Sequence, residues 1–309
     1  MAHITFVHGI ANKPAPDTLL DQWRVALLDD DGPDLDALGV TSSMIYWADM
    51  LYPDPLPAGA SQESARDVEQ TVDPNDAHLG WITDLPDDQR DFVEQLAKDV
   101  GLPHTAIEID TGDAQPTSVL ELLPLPKKME IRLMKLFLRD VHHFMYDATF
   151  SPRPDKTFHI RTDIRDRARK ILQEGASKSG AHIVVGHSLG SVIAYDALVN
   201  IDDAPPVDAL LTVGSPLGIS EVQDGLTPPW TAADGWPTTR LGDKPWRNVF
   251  DPLDPVCGLR DRRIGGDFRR AGRILVDDVE VRNRGTWRHS IAKYLGQGQL
   301  RSWLEDLVR

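Results

Sequence analysis

"HIVVGHSLGSVIAYDAL" (residues 182–198) decides how this chain is read. Its first part, up to Val185, is dominated by stiff, apolar, β-branched residues, as in a strand buried on both faces. Just past Gly190 a helical pattern begins. Ser188 stands between the two, with Gly186 and Gly190 two residues away on either side. A strand that reverses tightly into a helix forces its apex residue into a strained backbone, and its neighbours must be small enough for strand and helix to approach. The reward is geometric: the apex hydroxyl projects above the sheet edge, beside the Leu189 N–H at the positive end of a helix.

Working outward, strand and helix patterns alternate. "HITFV" (3–7), "TSSMIYW" (41–47), 182–186, "ALLTV" (209–213), "RNVF" (247–250) and "RILVDDVEV" (273–281) read as strands. Helices are expected at 18–28, where Leu19, Trp23, Ala26 and Leu27 share a face, at 164–176, at 190–199 and from about 290 to 308. Near-continuous apolar strands alternating with helices predict an α/β fold, a mostly parallel sheet with helices on both faces. Residues 53–155 break the rhythm. Residues 52–80 are rich in Pro, Asp and small side chains, and helical patterns follow at 87–100 and 127–147. The second is apolar around well over half its circumference and so requires cover. It is therefore expected in a cap of residues 53–155, inserted into a core of 1–52 and 156–309. Its interspersed Lys127, Lys128, Arg132, Lys135 and Arg139 leave a second reading, a helix in transient contact with a membrane or micelle surface.

The 309 residues, 41% hydrophobic and 26% charged, suffice for one large core or a core with an inserted subdomain. Residues 1–126 carry 24 acidic against 5 basic side chains, and the whole chain has a net charge of −15. A negative surface argues against nucleic acid as a partner, because phosphates are repelled rather than neutralised. The single cysteine, Cys257, rules out an intramolecular disulfide and reads as a small buried residue. "MAHITFVHGI" lacks the regions of a signal peptide, and no apolar run approaches the ~18 residues of a bilayer span, so a soluble cytoplasmic protein is expected. No phosphate-binding loop or dinucleotide fingerprint occurs, and His142-His143 has no further ligands at metal spacing. Neither a cofactor nor a metal is expected.

"GHSLG" (186–190), with a strand before it and a helix after it, resembles the nucleophile elbow of the serine esterases and lipases of the α/β-hydrolase superfamily. The resemblance implies Ser188 as nucleophile and the Leu189 N–H as one oxyanion donor. It also implies the chain order Ser, acid, His. Of ten histidines only His289 follows Ser188, in "RGTWRHSIAKYL" between the last expected strand and helix, which makes it the expected base. The acid belongs in the turn after 247–250, where Asp251 and Asp254 stand; "DPV" (254–256) matches the Asp-x-Val of many members and favours Asp254, leaving Asp251 to cap the turn. "FVHGI" (6–10) is similar to the His-Gly-x element of bacterial lipases, which assigns the second donor to the Ile10 N–H, close approach to Gly9, and support of the loop to His8. The resemblance covers 1–52 and 156–309, and the chain starts at what would be the superfamily's third strand, a compact N-terminus.

The implied activity is cleavage of a small or lipid-like carboxylic ester through an acyl-enzyme. A thioester or amide would use the same machinery. The competing reading is a hydrolase fold retained as a non-catalytic interaction or signalling module. The 212–246 loop follows a strand and is expected over the site, where Trp230, Trp236 and Trp246 either wall a substrate pocket or pack the loop onto the core. Arg260, Arg262, Arg263, Arg269, Arg270 and Arg273 read either as a solvated loop or as steering for an anionic substrate.

Overall fold

In the computed structural model, which describes residues 1–60, 78–103, 125–227, 230–257, 263–285 and 287–309, the chain is an α/β protein. In chain order the elements are β1 (His3–Val7), α1 (Pro16–Leu28), β2 (Thr41–Ile45), α2 (Asp87–Asp99), α3 (Leu125–Met145), β3 (Thr149–Arg153), β4 (Lys156–His159), α4 (Ile160–Ala176), β5 (His182–His187) and α5 (Leu189–Asn200). They continue with β6 (Ala209–Val213), α6 (Ser220–Asp224), α7 (Thr238–Leu241), β7 (Trp246–Phe250), β8 (Asp277–Glu280), α8 (Ile291–Leu295) and α9 (Gly298–Val308). Six strands form one sheet in the order β2-β1-β5-β6-β7-β8, every pair parallel, and β3 and β4 make a separate hairpin.

Strand periodicity explains how the helices are distributed. Ile4 and Phe6 point to one face, where Phe6 meets Trp23 of α1 edge-on at 5.4 Å. His3 and Thr5 point to the other. There Gly175 of α4 approaches so closely that a Cβ would lie 2.5 Å from His182 Nε2. Both faces are thus covered. α4 begins where the Asp163 carboxylate accepts the His159 N–H at 2.7 Å, in the manner of a capping box. α5 is buried from Leu189 to Leu198 and is correspondingly apolar on all sides.

From β1 the chain moves outward to β2, then returns to the opposite side of β1 to form β5. The order therefore reverses between β1 and β5, and the connections leaving their carboxyl ends diverge. In open parallel sheets such a switch point leaves a crevice for ligands.

Several boundaries differ from expectation for identifiable reasons. β2 stops at Ile45 because the Trp47 N–H turns away to donate to His8 Nε2 at 2.9 Å. β8 is only four residues long: Arg270 and Arg273 pair across a turn at Ala271 and Gly272, so the ladder with β7 starts at Asp277. The last expected helix is two, broken between Gly296 and Gly298. The helix expected at 127–147 is α3. Met129, Leu133, Phe137, Val141 and Phe144 are buried in the same continuous core as the sheet residues, with Lys135 and Arg139 buried too. Among the described side chains of α3, the large apolar ones are buried. Among the described residues, no helix is long and apolar enough to cross a membrane. Parts of the expected 53–155 insertion, residues 61–77 and 104–124, lie outside the described residues.

His3 and His182 sit in a polar seam between sheet and α4. His3 bonds Thr41 Oγ1 at 2.8 Å and Ser43 Oγ at 2.9 Å, and His182 Nε2 bonds Thr5 Oγ1 at 2.9 Å. Burial, helped by Lys178 for His3 and by the neighbouring His3 for His182, lowers both imidazoles from 6.5 to about 4. Their neutral forms belong to the fold, while the unfolded chain takes up protons near 6.5. The associated stability is therefore complete above pH 6.5 and lost as the pH falls towards 4. Melting temperatures from pH 7 to 4 should fall across this window, and His182→Gln should flatten the slope.

Candidate active site

Ser188 is the single residue between the end of β5 and the start of α5, with φ 56° and ψ −134°. For a residue with a Cβ this is strained backbone. The glycines show what the turn demands. A Cβ on Gly190 would lie 2.2 Å from the carbonyl oxygen of Val7 and 2.5 Å from that of His8. On Gly186 it would meet Ser191 Cα and the Gly190 carbonyl oxygen at 2.6 Å. The Ser188 N–H donates to the Val213 carbonyl at 3.0 Å, which ties the apex to the end of β6. As the first residue of α5, Leu189 has an N–H with no acceptor inside the helix.

The loop after β1 lies directly against this apex. A Cβ on Gly9 would sit 2.6 Å from Ser188 Cβ. His8, fully buried, stacks on Trp47 at 4.9 Å with rings 10° apart. Because its Nε2 accepts the Trp47 N–H, its proton is on Nδ1, which donates to the Gly9 carbonyl at 2.7 Å. Burial, reinforced by Lys13, holds this imidazole well below its ordinary pKa, so it stays neutral. Ile10 follows, buried. Its carbonyl accepts from Lys13 Nζ at 2.5 Å.

His289, whose ring stacks on that of His187, has its Nδ1 2.7 Å from Asp254 Oδ2, both side chains almost wholly buried. The same carboxylate accepts from Tyr294 Oη at 2.8 Å and from the Val256 N–H at 3.0 Å. Burial and the adjacent Asp254 push the Tyr294 phenol well above its ordinary pKa, so it remains a donor. Of the two acids left open by the sequence, the structure brings Asp254 to the imidazole. Asp251 instead accepts the N–H groups of Leu253 (2.8 Å) and Asn283 (2.6 Å) and pairs with Arg288 at 3.3 Å, anchoring the segment that leads to His289. Gly214, at φ 55°, leaves room where Asp254, His289 and Tyr294 converge: a Cβ there would lie within 3.2 Å of all three.

Two buried side-chain atoms at the site have no hydrogen-bond partner: Ser188 Oγ and His289 Nε2. Buried polar groups are normally satisfied; among the described residues Trp81 Nε1, Arg90 Nε, His182 Nδ1 and Trp230 Nε1 share this state, and these two are set apart by the strained turn that carries one and the carboxylate-bonded imidazole that carries the other. The His187 ring stacks on His289 at 4.6 Å and bonds its carbonyl through Nε2 at 2.9 Å. Burial, with His289 next in effect, keeps His187 neutral by lowering its pKa far below 6.5.

A cavity of about 480 Å³ lies at this place, with Gly9, Ile10, Trp23, Leu133, Trp287 and His289 in its wall. Trp230, Trp236 and Trp246, expected either to wall the pocket or to pack their loop, are not among its lining residues. Trp236 meets Trp246 at 5.8 Å, Trp246 and Trp230 both meet Phe268, and the indole N–H groups of Trp246 and Trp236 go to Thr212 Oγ1 and the Gly242 carbonyl. They fasten the 230–246 loop to the core because their large apolar faces find one another there. Of the arginine run, Arg260 and Arg262 lie outside the described residues, and Arg270 pairs with Asp243 away from the cavity. Among the described residues, no group of His, Cys, Asp or Glu has a metal-binding arrangement. Sequence reasoning missed Tyr294 as a donor to Asp254, and Leu133 and Trp287 as cavity walls. The only trace of Tyr294 is its place one turn after His289. No protein-family model matches the chain, and no curated protein matches it significantly.

If Ser188 is held in a strained turn, relieving the strain should raise stability. Ser188→Gly should be about 1 kcal/mol more stable than Ser188→Ala in urea unfolding, since only glycine occupies φ 56°, ψ −134° freely. Gly190→Ala, whose methyl meets backbone oxygens that cannot rotate aside, should cost about 3 kcal/mol or fail to fold.

Proposed function

We propose that this chain is a serine hydrolase of the α/β-hydrolase fold that cleaves carboxylic esters through an acyl-enzyme. The observation that carries the reading is the pair of partnerless buried atoms, Ser188 Oγ and His289 Nε2, the latter on an imidazole whose Nδ1 is bonded to Asp254. A serine hydroxyl is a weak nucleophile until a base removes its proton. With Nδ1–H donating to Asp254, Nε2 is the basic nitrogen and takes the proton as Oγ attacks the carbonyl carbon. Asp254 then faces an imidazolium, and its bonds from Tyr294 and Val256 hold the carboxylate in orientation. Neutral His187 adds no repelling charge.

The carbonyl oxygen becomes an oxyanion, for which the N–H groups of Leu189 and Ile10 are the donors in reach of the same apex. Protonated His289 returns its proton to the leaving alcohol as the tetrahedral intermediate collapses to the acyl-enzyme. It then takes a proton from water, which attacks the ester to Ser188 and releases the acid. Ser188 has no exposed surface, so the hydroxyl must rotate, or Gly9 and Ile10 shift slightly, for substrate to reach it. The apolar wall from Leu19, Trp23, Leu133 and Trp287 suits an alkyl or acyl group rather than a charged one.

A fluorophosphonate probe should label the wild-type protein and leave Ser188→Ala unlabelled. On short chromogenic esters Asp254→Asn should lower kcat by about 10⁴ with the fold intact. A folded wild-type protein that neither reacts with the probe nor turns over any ester, thioester or amide would point instead to a non-catalytic module.

A further inference from the structure

We propose that Asp140, in the last third of α3, is a positioning residue that sets the orientation of the Ile10 N–H; this rests on the reading of Ser188 as nucleophile. Asp140 is fully buried, in a helix outside the segments that carry the hydrolase resemblance. Its two oxygens do different things. Oδ1 takes the guanidinium of Arg139, at 3.1 Å from Nη2 and 3.2 Å from Nε. Oδ2 reaches across to the loop after β1, accepts the Ala11 N–H at 2.8 Å, and lies 3.4 Å from Tyr52 Oη.

The peptide units show what the contact controls. The Ile10 N–H belongs to the Gly9–Ile10 peptide, whose carbonyl is held by His8 Nδ1 at 2.7 Å. The next peptide, Ile10–Ala11, is held at both ends: its carbonyl by Lys13 Nζ at 2.5 Å and its N–H by Asp140. Peptide planes are rigid, so the Gly9–Ile10 plane carries the direction of the Ile10 N–H, and pinning the next plane as well fixes Ile10 φ and ψ and keeps the first plane from being dragged round. The pin is under load. Ala11 has φ 68°, a conformation an alanine keeps only when its surroundings impose it, and a charge-assisted hydrogen bond in a dry interior is a strong way to impose it. Without Asp140 the Ile10–Ala11 plane can relax towards an ordinary φ at Ala11, and the rotation passes through Ile10 to the Gly9–Ile10 plane, which the His8 contact alone is then left to hold. An oxyanion donor acts only when aimed in advance.

Asp140→Leu, close in size, tests this. Among folded molecules, quantified by circular dichroism, kcat on a chromogenic ester should fall about 10–100-fold, a fraction of the loss of a whole oxyanion donor, with KM nearly unchanged. Hydrogen exchange measured by mass spectrometry should quicken in the peptide covering residues 8–13. A merely structural role would lower the melting temperature and leave kcat per folded molecule alone. Should the leucine variant not fold, Asp140→Asn keeps shape and an acceptor but loses charge. It should reduce kcat about 3–10-fold at constant KM and speed exchange at Ala11, and unchanged values of both would overturn the proposal. If wild-type protein has no Ser188-dependent turnover, the functional reading fails. If turnover is lost in Ser188→Ala but retained in full by Asp140→Leu, only the role of Asp140 falls.

Discussion

At Ser188 the backbone must double back within one residue, and the cost of that turn shapes everything near it. The helix that follows runs so close to β1 that Gly190 has no room for a methyl group between it and the carbonyls of Val7 and His8. Gly9 in turn presses on Ser188 itself. Two segments distant in the chain, residues 7–9 and 188–190, are therefore locked at van der Waals contact by the absence of side chains. This happens at the one place in the sheet where neighbouring connections part. The strain at Ser188 persists because a close-packed surround leaves it nowhere to go.

Around this turn the interior holds few free charges. His8 and His187 are kept neutral by burial, and Tyr294 is kept protonated. Asp254 is satisfied by three donors rather than by a cation. A positive charge on His289 would meet the Asp254 carboxylate at 2.7 Å, where the low dielectric makes the attraction strong. Asp251, the other aspartate of the same turn, spends its oxygens on backbone N–H groups and Arg288, which sets the path of the chain into His289. Two similar residues three positions apart divide the work of charge and scaffold.

α3 runs through the common core, its Leu133 lines the cavity, and its Asp140 reaches the loop after β1. A helix carrying buried Lys135, Arg139 and Asp140 inside an apolar core is expensive to desolvate, and Arg139 and Asp140 answer this by pairing with each other, with Ala11 and with Tyr52.

Local pattern made much of this legible. β1 and β6 lie where period and apolar runs place them, and the Gly-x-Ser-x-Gly spacing marked the strand-to-helix reversal because that geometry is enforced within five residues. Chain order left one histidine after Ser188, and it stands beside Asp254. Pattern failed where distant partners decide. β8 is cut short by a turn between Arg270 and Arg273, and three tryptophans in a loop meet Phe268 instead of the cavity. Whether Asp251 or Asp254 faces His289, what lines the cavity and what Asp140 bonds were likewise beyond it. Periodicity, glycine placement and chain order act over a few residues or along one axis, so the sequence by itself determined the parallel α/β layout and the elbow. The partners of Asp254, Asp140 and the tryptophans depend on which side chains meet across more than a hundred residues of chain, and only tertiary packing, through the burial that forces each polar group to find a partner, decides that.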